Sequence, residues 1–157
     1  MRVALTLSGR YAAEPDGAGR VILLPGGWRR LIGVPARAIA GPLEALERLA
    51  CEVRTGARTI PKSVRRIIVH NNSGCPLLNE RDRDFLWHAF QLPVFEEVRD
   101  PNGALIGWEC DAHSGLHWNA ECGIMPPASR VVYGLCACGL RTPRLTPATQ
   151  RCSFPDS

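Results

Sequence analysis

Between Cys110 and Cys138 the chain places four cysteines and two histidines within 29 residues: Cys110, His113, His117, Cys122, Cys136 and Cys138. No other feature restricts the fold as strongly. Thiolates and imidazoles are the ligands a tetrahedral zinc ion prefers, and a shared ion forces the segments that supply them together. The Cys136-Ala137-Cys138-Gly139 run resembles a metal-binding knuckle, in which a glycine lets the backbone turn beneath the ion. All six residues are candidate ligands at this level. Three protein ligands plus water would make a catalytic zinc, with Glu109 or Glu121 as base. Four ligands would make a closed, structural site, the commoner outcome for thiolate-rich sets.

The seven cysteines are an odd number in 157 residues, and the apolar run Val3 to Leu7 is too short for the core of an export signal. A cytoplasmic chain follows as the expectation, with clustered cysteines binding metal rather than forming disulfides. Cys51 falls on an apolar helical pattern and reads as core, and Cys152 lies in a Pro/Ser-rich tail. No stretch reaches the roughly 20 apolar residues of a membrane span. The net charge of +4 comes from 18 Arg and one Lys against 15 acidic residues, and the basic residues are dispersed. That pattern argues against nucleic acid as a partner, because such surfaces gather their cations on one stripe.

Residues Val3 to Leu7 and Val21 to Leu24 read as two strands joined by a hairpin loop over Ala12 to Gly19, ended by Pro25-Gly26-Gly27. Trp28 to Ala40 is a mixed segment interrupted by Pro35. Gly41-Pro42 opens a helix with Pro42 at its first position, Leu43, Leu46, Leu49, Ala50 and Val53 on one face, and Gly56 at its end. Val64 to His70 is a buried strand leading into the polar loop Asn71 to Pro76. A second helix is capped by Asn79, with Asp82 three residues on, and carries Phe85, Leu86, Ala89 and Phe90. Val94 to Val98 is the next strand, and a crossover of this kind makes it parallel to the preceding one. Asp100-Pro101-Asn102-Gly103 is a turn returning along Leu105 to Cys110. Short strands follow at Leu116 to Trp118 and Val131 to Leu135, and the chain frays from Pro143.

The fold class expected is α/β: a small mixed sheet with flanking helices and a zinc-clipped antiparallel extension. The division expected is an α/β portion over residues 1–60, a second portion over 61–145 with the Cys/His site, and a flexible tail over 146–157.

The stretch Glu109-Cys110-Asp111-Ala112-His113-Ser114-Gly115-Leu116-His117-Trp118, together with Cys136-Ala137-Cys138-Gly139-Leu140-Arg141-Thr142-Pro143-Arg144-Leu145, resembles the phenylacetate–coenzyme A ligase family of adenylate-forming enzymes. The resemblance spans residues 64–145, about half the chain. It implies Cys110, His117, Cys136 and Cys138 as zinc ligands, with His113 and Cys122 as alternates. It also places the loop with Ser73 and Gly74 near a nucleotide, so that ATP or AMP becomes a ligand to consider. The family's Ser/Thr/Gly-rich phosphate loop has no counterpart here. Its aromatic-Gly-x-Ser-Glu motif is replaced by Phe95-Glu96-Glu97-Val98, and no lid lysine follows, Lys62 being the one lysine. The resemblance therefore implies a non-catalytic zinc module acting in binding or assembly, with a partner protein or a second copy of itself. The other possibility is a subunit of nucleotide-dependent acyl activation completed by another chain.

Overall fold

The computed structural model describes residues 3–6 and 36–148, and side chains from residue 38 onward. One eight-stranded sheet organises them, in the order β1-β2-β3-β4-β5-β6-β8-β7. The strands are β1 (Val3–Thr6), β2 (Ala36–Gly41), β3 (Arg66–Asn72), β4 (Val94–Arg99), β5 (Leu105–Glu109), β6 (Leu116–Trp118), β7 (Ser129–Val132) and β8 (Arg144–Pro147). Strands β1 to β4 are parallel, and β4 to β8 pair antiparallel. The fold is thus α/β with a mixed sheet. Helices α1 (Leu43–Arg54) and α2 (Glu80–Phe90) are the β2–β3 and β3–β4 crossovers.

Both helices lie on one face of the parallel half. Leu46, Leu49 and Ala50 of α1 and Leu86 and Phe90 of α2 form one buried cluster with Ile39, Ile67, Val69 and Val94. Ala38, Ala40, Ile68 and Phe95 alternate with these along the strands and belong to the opposite face. A third cluster, Leu77, Val98, Ile106, Leu116 and Leu145, holds the antiparallel half to the rest.

Local signals account for both helices. Asn79 Oδ1 accepts the Asp82 N–H at 2.9 Å, and α2 ends at Gln91 in the left-handed region. Gly56 follows α1 at φ +73°, where a side chain would be strained. Pro42 differs from expectation. Its ψ of 151° makes it the extended residue before α1, and its carbonyl accepts from Ala45 and Leu46.

Strand β3 runs over Arg66–Asn72, later than Val64 to His70, and strands β2, β7 and β8 differ more from the sequence reading. Strand β2 falls in the segment read as mixed, because Ala-Arg-Ala-Ile-Ala-Gly has little intrinsic strand preference and takes its conformation from neighbours on both sides. Strand β7 begins and ends earlier than Val131 to Leu135, since Gly134 at φ +130° turns the chain away towards the Cys136 knuckle. Strand β8 replaces the frayed segment expected from Pro143. It is held between β6 and β7, so Thr146 and Pro147 belong to the sheet rather than to a tail. Strand β1 pairs in parallel with β2. The strand expected at Val21 to Leu24, its hairpin loop, Pro25-Gly26-Gly27, Cys152 and residues 149–157 lie outside the described residues. Among the described residues no helix is long and apolar enough to cross a membrane.

Candidate metal centre

Strand parity decides which side chains meet at the antiparallel end. Glu97, Trp108 and His117 are paired across β4, β5 and β6 and so share a face. That face is opposite the helices, because Glu97 alternates with Val98 and Glu96. Cys110, two residues past Trp108, leaves β5 on the same side. There a tight turn begins, with the His113 N–H donating to the Cys110 carbonyl at 3.0 Å.

The Cys136 knuckle arrives from the other direction. Cys136 N donates to Leu140 O at 2.8 Å, and Gly139 N donates to Cys136 O at 2.9 Å. Gly139 sits at φ +90°, the conformation the knuckle reading requires of a glycine. The loop closes onto β8, which pairs with β6 at His117↔Arg144.

Sγ of Cys110, Cys136 and Cys138 and one ring nitrogen of His117 thereby come within 4.8 Å of one another. Cys110 Sγ is 3.6 Å from Cys136 Sγ, and Cys138 Sγ is 3.3 Å from His117 Nε2. Zinc bonds of about 2.3 Å to sulfur and about 2.0 Å to nitrogen imply ligand–ligand separations of roughly 3.5–3.8 Å in a tetrahedron. The donor set suits such an ion in chemistry, these two separations lie close to the tetrahedral values, and the cluster could hold a metal ion. His113 and Cys122 are not in this group. The His113 ring stacks on Phe95 with centroids 4.7 Å apart, and its Nδ1 is 3.0 Å from Glu109 Oε1. Cys122 lies in the 3-10 turn Ala120–Cys122.

A layer of partners orients the four candidate ligands, as outer shells of metal sites do. Fully buried His117 stacks on Trp108, and its Nδ1 lies 2.5 Å from Thr142 Oγ1. Ser114 Oγ is 3.4 Å from Cys136 Sγ, and Arg144 Nη1 donates to Ser114 Oγ at 2.6 Å and to Ser114 O at 3.1 Å. The Ser114 hydrogen bond, helped by the Cys138 amide, brings the Cys136 thiol down to about 6. Burial pushes the Cys110 thiol up to about 11. Cys136 is therefore the thiol already inclined to ionise as a ligand. Gly115, between Ser114 and β6, has φ +103°. A Cβ there would lie 2.7 Å from the Leu145 carbonyl oxygen, so only glycine lets β6 approach β8 this closely. Trp108, Ser114, Thr142 and Arg144 went unassigned in the sequence reading, because their roles depend on cross-strand pairing rather than on spacing.

Two other expectations fare differently. Glu109, the possible base, has both oxygens engaged. Oε2 accepts from Arg83 Nη1 and from the Glu96 amide, each at 3.0 Å, and Oε1 faces His113. Glu121 is exposed on the 3-10 turn. In the loop after β3, Ser73 N donates to Arg99 O and Cys75 N to Asn72 O, each at 2.9 Å, so two amides of the suggested anion loop are already committed. Gly74 is exposed.

No family model matches the chain, and no curated protein matches it.

Proposed function

We propose that this chain is a zinc-clipped, non-catalytic module, related through residues 64–145 to part of the phenylacetate–coenzyme A ligases and acting in binding or assembly. The observation that carries the zinc reading is the convergence of three thiols and one imidazole from three separate segments: the end of β5, β6 and the β7–β8 knuckle. Four protein ligands complete a tetrahedron and leave no position for a reacting water. The engagement of Glu109 on both oxygens supports the same reading, since a metal-bound water would need a free base nearby. The relation to the ligases rests on the two Cys/His motifs, and the assembly role on the absence from the sequence of that family's phosphate loop.

Protein purified without chelator should carry one zinc per chain by elemental analysis. Cys136→Ser and Cys138→Ser should each lower that content sharply. A metal content below about 0.2 per folded chain would overturn the zinc reading. Pyrophosphate release from ATP with aryl acids should be absent for the isolated chain, and turnover would replace the non-catalytic reading with an enzymatic one.

A further inference from the structure

On the helix side of the sheet, opposite the cysteines, a cleft of about 470 Å³ opens between the start of α2 and the β6–β8 region. Its size is that of a small-ligand site. Leu77, Leu116 and Leu145, which are 7%, 3% and 0% exposed, supply apolar wall, and Glu96 lines it from β4.

Glu96 is 1% exposed, and its two oxygens are treated differently. Oε1 accepts from the Leu78 amide and from Asn71 Nδ2, each at 2.9 Å. Oε2 is buried and has no hydrogen-bond partner among the described residues. A buried polar atom without a partner is costly, and native proteins satisfy nearly all of them. The basic side chains lining the cleft do not serve it. Arg83 Nη1 donates to Glu109 and to the Val94 carbonyl, and His113 faces Glu109. Glu80 at the rim adds a further negative charge. The cleft therefore lacks one hydrogen-bonding cation.

A second cleft, of about 390 Å³, shares Arg83 and His113 with the first and continues over Trp87, Pro93 and Val94. Trp87 is 46% exposed, a large aromatic surface that this continuation leaves available.

We propose that this cleft binds a small primary ammonium compound with an apolar or aromatic body, its nitrogen donating to Glu96 Oε2 and its body lying along the leucine wall towards Trp87. An anion is disfavoured because Arg83 is already paired with Glu109, and Glu80 and Glu96 also line the cleft. Burial holds the Glu96 carboxyl above the usual carboxylate range, the behaviour of a buried acid that has no cation beside its second oxygen. None of the four candidate metal ligands lines this cleft, although Ser114, which does, also lies 3.4 Å from Cys136 Sγ.

The test is titration of the full, metal-loaded chain with benzylamine at about pH 8, where an alkylammonium is still charged. Benzyl alcohol and benzoate serve as comparison probes, and amide chemical shifts are followed by NMR. Benzylamine should give saturable shifts at Leu78 and Glu96 with a Kd of about 1 mM, a realistic strength for a fragment of this size. Benzyl alcohol should bind at least about tenfold more weakly, as loss of a charge-assisted hydrogen bond implies, and benzoate should not bind. Glu96→Gln keeps the shape and the Oε1 acceptor, and should weaken benzylamine about tenfold or more. Equal binding of amine and alcohol, undiminished binding by the variant, or no saturable shift at about 10 mM would each overturn the proposal. Should Glu96→Gln not fold, the Glu96 carboxyl carbon shift in the wild-type chain decides. Benzylamine should lower the pH at which it titrates, and an unchanged titration overturns the proposal.

Discussion

Thr142 Oγ1 lies 2.5 Å from His117 Nδ1, across 25 residues of sequence. With Nδ1 engaged by the hydroxyl, Nε2 is the ring nitrogen that faces Cys138 Sγ. The hydroxyl holds the ring in that orientation, and by accepting from Nδ1–H it would suit the tautomer that leaves Nε2 free for a metal. Thr142→Val keeps the side-chain shape and removes that partner. Metal affinity should fall by about 10–100-fold, read by competition with a chromophoric chelator, while the fold persists. Unchanged affinity would show that the Trp108 stack alone orients the ring.

The ligands join β5, β6 and the knuckle before β8, whereas the helix-side core contains none of them. Removing the metal should therefore loosen the two halves of the sheet unequally. Hydrogen exchange after chelation should speed up across residues 105–147 and change least in β3 and α2, whose stability comes from apolar burial. Uniform loss of protection would instead mean that the metal holds the whole domain.

Gly115→Ala places a methyl 2.7 Å from the Leu145 carbonyl oxygen at a positive φ. Backbone strain alone costs about 1–3 kcal/mol, and β8 must also move. Urea unfolding should show a loss of at least about 2 kcal/mol, accompanied by reduced metal content because His117 and Ser114 flank the glycine. A variant with wild-type stability would contradict the close approach of β6 to β8.

Glu96 gives the chain a pH dependence of defined sign. Burial raises its folded-state carboxyl above the ordinary value, against the smaller opposing effect of the Asn71 and Leu78 hydrogen bonds. The folded state thus keeps that proton to higher pH than the unfolded chain. Stability falls as pH rises from the unfolded value through the folded one, and the loss persists above it. Glu96→Gln cannot ionise, so its stability relative to wild type should increase with pH over that window. Parallel urea midpoints across it would show that the carboxyl titrates normally.

Much of the parallel half, with the first antiparallel turn after it, is legible locally. Asn79 caps the second helix, the 3.6-residue recurrence of Leu46, Leu49 and Ala50 marks the buried face of α1, and the Asp100 turn closes with Gly103 N donating to Asp100 O at 2.9 Å. These signals act over a few residues, so they survive in sequence. Strands β2 and β8 do not, because Ala36–Gly41 and Arg144–Pro147 are strands by virtue of the neighbours they pair with.

The sequence by itself determined that the segment from Cys110 to Cys138 is rich in metal-ligand chemistry and that helix-linked parallel strands precede it. The tertiary structure decided which of the six Cys and His residues meet. It did so through the β6–β8 pairing, which brings His117 beside the knuckle, and through the turn that sends His113 to Phe95 and Glu109 instead. It also separated the adjacent Glu96 and Glu97 onto opposite faces, Glu96 into the leucine-walled cleft and Glu97 beside Arg99. The physical reason is the two-residue period of a strand: neighbours in sequence become strangers in space, and only the pairing of distant strands says what each of them faces.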